Sequence, residues 1–182
     1  MPKQHLPTSP YCTIGPFFPG ELVVGCEDLT HFEEKTARGQ HILLTGRILE
    51  EGKIAVRDAI VEIWQPDANG VLRDPLDPHF HEIDPRFFGW GRSRSNAEGW
   101  YQFRTVLPGP LRADGGVPRC PQANVMVLAI GLVRRLSTTV FFHDVPESVD
   151  DPTLNCIADV GGCLRCAIRN LILTVFLRTA ST

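Results

Sequence analysis

Gly99–Gly131 reads GWYQFRTVLPGPLRADGGVPRCPQANVMVLAIG, and this stretch sets the fold. Trp100-Tyr101-Gln102-Phe103 is rich in aromatic residues and Arg104-Thr105-Val106 continues it, which predicts a strand. Pro108-Gly109-Pro110 ends it, because proline brings no N–H to a ladder. A polar loop follows, and Asn124 to Gly131 forms a second β-run.

The same grammar runs outward in both directions. HILLTGRILE, from His41, alternates apolar and polar residues with period two and ends at the Glu51-Gly52 turn. AIVEIWQPDANG is a strand that closes in the turn Asp67-Ala68-Asn69-Gly70, with Val61, Ile63 and Gln65 on one face and Ile60, Glu62 and Trp64 on the other. Leu136 to Phe142 is a further strand, and LILTVFLR near the end suits one too. Short strands separated by Gly/Pro turns, with few helical patterns, predict an all-β fold, a β-sandwich with short helices. Residues 28–38 read as one such helix, capped by Asp28 or Thr30.

At 182 residues the chain is read as a single domain, 1–182. Residues 1–38 form an N-terminal arm, where Pro2, Pro7, Pro10, Pro16 and Pro19 block regular structure. Thr13-Ile14-Gly15-Pro16-Phe17-Phe18 is too apolar to be left in water, so the arm is expected to contact a partner chain or the core. Residues 39–182 form the sandwich, and the tail 158–182 is the part whose folding the sequence leaves open. With 43% hydrophobic residues the chain is globular. A net charge of −3 gives no basic footprint for nucleic acid. No apolar run is long enough to span a membrane, and MPKQHLPTSP lacks a signal-peptide core, so a reducing cytoplasm is the expected location. The six cysteines are then indifferent thiols, since the lone Cys163/Cys166 pair has no second pair to complete a zinc site.

Two clusters invite chemistry. His79 and His81, among Asp74, Asp77, Glu82 and Asp84, could make a two-histidine, one-carboxylate metal set. They fall in a proline-rich loop, where a solvated polar segment is the plainer reading. Arg92, Arg94 and Arg104 could form a fork for a carboxylate ligand, against the plainer reading of surface ion pairs. No G-x-S-x-G elbow or third glycine beyond Gly89 and Gly91 supports a hydrolase or a dinucleotide site.

Five blocks then occur in order: T-x-G-P-F-F, G-Q-H-I-L-L-x-G, V-x-D-A-x-V-E-I-W-Q-P-D-A-N-G, F-x-G-W-G-R-S and Y-x-F-R-T-V-x-P-G. Over about residues 5–157 the chain resembles the intradiol ring-cleavage dioxygenases. The resemblance implies a β-sandwich whose members hold Fe(III) by two tyrosines and two histidines and cleave a catechol with O₂. The positions that would carry those ligands hold Leu72, Leu111, Asn124 and Met126. The chain has only two tyrosines, Tyr11 and Tyr101, neither at a ligand position.

The resemblance therefore implies the iron-free α chain of a two-chain enzyme, without a catalytic residue of its own. It binds no metal; the partner β chain holds the Fe(III) and takes the catechol substrate and O₂. Thr13, Gly15 and Pro16 match the arm segment that reaches the substrate cavity. An arginine expected beside the pocket is replaced by Ile130, with Arg134 and Arg135 as possible substitutes. Two rivals stay open: an inactive β-sandwich interaction module, and a single-chain dioxygenase with a relocated metal at His79/His81.

Overall fold

A computed structural model describes residues 18–112, 119–132 and 134–142, and the backbone course of 165–168 and 171–179. Two four-stranded antiparallel sheets carry the fold. One has the order β6 (Trp100–Val106), β3 (His41–Glu50), β10 (Leu171–Thr179), β9 (Arg165–Ile168). The other runs β5 (Trp90–Arg94), β4 (Ile60–Trp64), β7 (Gln122–Leu128), β8 (Leu136–Phe141). This is the β-sandwich that the period-two patterns predict.

The alternation in β3 makes the case. Ile42, Leu44, Gly46 and Ile48 are buried, and the residues between them are half-exposed or exposed. Phe103 from β6, Val61 and Ile63 from β4, and Val125 and Val127 from β7 meet them in one core. Truncating any of the large side chains to alanine costs about 2–5 kcal/mol. Tyr101 pairs with Gly46 across β6 and β3 and lies over it: a Cβ at Gly46 would come 2.2 Å from the Tyr101 hydroxyl. That hydroxyl is buried with no hydrogen-bond partner, and burial pushes its pKa up.

One expectation changes. Residues 28–38 are not a helix but a hairpin, β1 (His31–Phe32) with β2 (Lys35–Thr36). Glu33 and Glu34 take φ of 50° and 61°, a turn geometry incompatible with a right-handed helix. Asp28 does accept hydrogen bonds from the Thr30 amide and hydroxyl, but it closes a local turn and caps no helix. The short helices among the described residues are 3₁₀ turns at Gly20–Leu22, Glu51–Lys53 and Phe80–Glu82. The final strand is present: β10 runs beside β3 from the Leu171↔Glu50 pair to Thr179↔Ile42, so β3 is not left as an open edge.

The segment before the hairpin stitches the two sheets together. The Cys26 carbonyl accepts from the Arg92 amide of β5 (2.8 Å), and the Glu27 carbonyl accepts from the Arg104 amide of β6 (2.9 Å). The Leu29 amide donates back to the Arg104 carbonyl at 2.8 Å. The strap lies so close to β5 that a Cβ at Gly91 would sit 2.4 Å from Leu29 Cδ1 and 2.8 Å from the Cys26 carbonyl oxygen.

Candidate functional site

β4 ends at Trp64 and runs directly into the Asp67–Gly70 turn. Asp67 is buried, and its carboxylate organises the whole corner. Oδ1 accepts from the Asn69 and Val71 amides (2.8 and 3.0 Å), and Oδ2 accepts from the Asp84 amide (2.7 Å). The Asp67 carbonyl accepts from the Gly109 amide at 2.9 Å, and the Gly70 carbonyl accepts from the Arg112 amide at 3.3 Å. The two turns interlock: a Cβ on Gly70 would come 1.9 Å from the Pro110 carbonyl oxygen. Gly70 also has φ of 81°, so only glycine fits here without strain. The clasp places Leu72, two residues beyond Gly70, and Leu111, next to Pro110, on adjoining loops. Leu111 pairs with Arg119 through two backbone hydrogen bonds of 3.0 Å, leading the chain towards β7.

Asn124 and Met126 stand two apart on β7, on the outer face, since Val125 and Val127 fill the core. Asn124 pairs with Trp64 on β4 and Thr139 on β8; Met126 pairs with Glu62 and Ser137. The Asn124 Oδ1 accepts from the Thr139 hydroxyl at 3.1 Å. The donor set does not fit Fe(III). Leucine has no lone pair, a thioether is soft, and the amide oxygen at Asn124 is neutral and already engaged. Among the described residues no group of three His, Cys, Asp or Glu side chains is placed to hold a metal ion.

The rival metal cluster is organised differently. His79 caps the Phe80–Glu82 turn and His81 lies within it, so they have no strand pleat to align them. Glu82 lies 3.3 Å from His79 Nδ1 and 3.7 Å from His81 Nε2, and also accepts from Arg112 Nη1. The Arg112 hydrogen bond, then that of His79, holds the Glu82 carboxyl below its usual range. The other carboxylates brace loop backbone: Asp77 takes the Leu72 and His79 amides, Asp74 the Leu76 amide, and Asp84 the Arg38 and Arg86 amides.

The arginine fork separates into structural pairs. Arg94 binds Asp58 (3.1 Å from Nε), Arg92 binds Glu62, and Arg104 is exposed on β6. Ile130 is 53% exposed at the β7–β8 turn, with Arg134 and Arg135 exposed beyond it. Thr13, Gly15 and Pro16 lie outside the described residues. Sequence reasoning missed the clasp itself, although the spacing of Asp67 from Gly70 and the glycine between two prolines carried its signal. A cleft of about 620 Å³ lies elsewhere, between the strap and the edges of β5 and β6, lined by Val24, Glu27, Arg94, Trp100 and Gln102. None of Leu72, Leu111, Asn124 and Met126 borders it.

A family model described as a dioxygenase matches residues 14–143. The chain belongs to the intradiol ring-cleavage dioxygenase family. It is 30% identical over 167 residues to the protocatechuate 3,4-dioxygenase alpha chain of Pseudomonas putida, covering 86% of this chain and 81% of that one. It is 38% identical over 142 residues to the beta chain of the same enzyme from Burkholderia cepacia, covering 71% and 60%. Among solved structures, catechol 1,2-dioxygenase from Pseudomonas arvilla C-1 superposes with a TM-score of 0.55 at 18% identity, over 90% of this chain and 59% of that one. Catechol 1,2-dioxygenase from Acinetobacter sp. ADP1 gives 0.54 at 23% identity, over 76% and 48%. This intradiol-family chain thus spans about half to three fifths of those solved chains, and the likeness to them is one of fold. No helix among its described residues is long and apolar enough to cross a membrane.

Proposed function

We propose that this chain is the non-catalytic α subunit of a protocatechuate 3,4-dioxygenase. A partner β chain holds the Fe(III), and the assembled enzyme opens 3,4-dihydroxybenzoate with O₂ to 3-carboxy-cis,cis-muconate. One observation carries the reading. The corner that carries Leu72 and Leu111 is tightly built, from Asp67 to the Gly70–Pro110 interlock, while the positions the resemblance gives to ligands hold Leu72, Leu111, Asn124 and Met126. A structure that keeps the frame and drops the donors fits a chain whose work has passed to an interface.

In this reading residues 1–182 act as one domain whose arm, 1–38, reaches the partner. Thr13 offers a hydroxyl and Gly15-Pro16 a stiff, close-approaching backbone to the substrate cavity. Ile130, exposed and apolar, offers no counter-charge to a substrate carboxylate. In this reading the working place is the cytoplasm, in keeping with the free thiol of Cys26.

Co-expression with a β-type chain that carries the tyrosine and histidine ligands tests the proposal. The expected result is a stable complex whose iron follows the β chain in stoichiometry and whose turnover needs both chains. A β chain that is fully active alone and forms no complex would leave an interaction module without activity as the surviving reading.

A further inference from the structure

We propose that Arg92 is a positioning residue, which anchors the root of the N-terminal arm and so sets how the arm meets substrate. The link to substrate rests on the subunit reading above; the anchor itself does not.

Arg92 sits in the middle of β5, opposite Glu62 of β4. Its guanidinium makes contacts in three directions. Nε donates to Glu62 Oε1 at 2.9 Å, and Nη2 donates to the same oxygen. Nη1 reaches out of the sheet to the Leu22 carbonyl at 3.0 Å. The planar group also lies over the Trp90 ring, 5.0 Å from its centroid. The Arg92 backbone amide binds the Cys26 carbonyl at 2.8 Å, so one residue holds the strap at both Leu22 and Cys26. Between these points the chain turns on itself, with the Val23 amide bonded to the Gly20 carbonyl and the Cys26 amide to the Val23 carbonyl.

The pair with Glu62 keeps the guanidinium from swinging into solvent. Both side chains are largely covered, 21% and 15% exposed, so the pair is screened less than a surface ion pair. Only an arginine meets these demands together, because its fork holds donors in fixed and different directions. Pro16 lies six residues before Leu22. Fixing Leu22 confines Pro16 to within roughly 20 Å of that carbonyl, at about 3.3–3.6 Å per residue. Glu62 also stands opposite Met126 in the β4–β7 register, so the anchor grows from the same sheet face as Asn124 and Met126.

The test compares Arg92→Gln, Arg92→Lys and Glu62→Gln. Hydrogen exchange is measured on the full single chain, and steady-state kinetics on the complex with a ligand-bearing β chain. In Arg92→Gln, the amides of Cys26, Leu29 and Arg104 are expected to exchange about tenfold faster, with Val125 and Val127 unchanged. Arg92→Lys, which keeps charge and bulk but cannot span both partners, is expected to show the same pattern to a lesser degree. In the complex, KM rises about five- to tenfold while kcat and iron content stay within about twofold. Unchanged exchange at the strap in both Arg92 variants overturns the anchor. Faster exchange with an unmoved KM overturns its link to substrate. If the unaltered chain forms no complex, the subunit reading fails, and the exchange data still decide the anchor.

Discussion

Tyr101 is one of only two tyrosines in the chain, and its job is packing. Its ring covers Gly46 and meets Phe103 edge-on at 5.9 Å, while its hydroxyl is buried without a partner. Such an orphan group costs about 1–3 kcal/mol in lost hydration. Tyr101→Phe is therefore expected to leave stability unchanged or raise it by about 1 kcal/mol in denaturant titrations. The pH dependence follows from the raised pKa of the buried phenol. Below the ordinary value near 10 the phenol is neutral in both states and contributes nothing pH-dependent. Above it the unfolded chain loses the proton and the folded one keeps it, so stability falls as pH rises. Tyr101→Phe removes that alkaline slope, which titrations at pH 8 to 11 would read. At the vacated positions, Leu111→Tyr alone is expected to bind no iron. Leu72, Asn124 and Met126 still lack suitable donors, and iron analysis showing one equivalent would refute the assignment of positions.

The elements were legible where side chains alternate and obscure where backbone does the work. β3 could be read from HILLTGRILE because every second residue faces the core. The hairpin at His31–Thr36 could not, since Glu33 and Glu34 adopt positive φ without the glycine or asparagine that signals such a turn. The corner at Asp67 was legible only as a turn. Its grip on Asp84, seventeen positions on, and on Gly109 depends on loops that meet only after folding. The corner makes its own prediction. Gly70→Ala drives a Cβ into the Pro110 carbonyl oxygen and demands a φ that alanine resists, so the loss should exceed the ~1 kcal/mol of conformational cost alone and reach about 3 kcal/mol. Asp67→Ala strips the acceptor from three amides and should cost a comparable amount, with Asp67→Asn milder because one oxygen remains. Urea midpoints at constant slope would confirm that these are stability effects.

At the scale of the molecule, the question is why a sandwich builds so tight a corner beside Leu72 and Leu111, side chains that can ligate nothing. The Asp67 clasp ties β4, the 71–88 loop and the Pro108–Pro110 turn into one unit, so its loss would damage the fold regardless of chemistry. Stability explains the clasp, and under the proposed subunit role a division of labour between chains explains Leu72, Leu111, Asn124 and Met126. The two roles predict different failures in the assembled enzyme. In the proposed subunit role Gly15 meets the substrate cavity, and a bulky replacement there, such as Gly15→Leu, should raise KM about tenfold by crowding it, with iron per β chain unchanged. Asp67→Ala acts on the clasp, and it should lower the yield of complex while the complex that does form keeps a normal KM. Iron analysis, complex yield and KM measured on the same preparations separate the two. If Gly15→Leu instead lowers iron and complex yield together, the arm serves assembly and not substrate, and the placement of Thr13, Gly15 and Pro16 in the cavity is wrong.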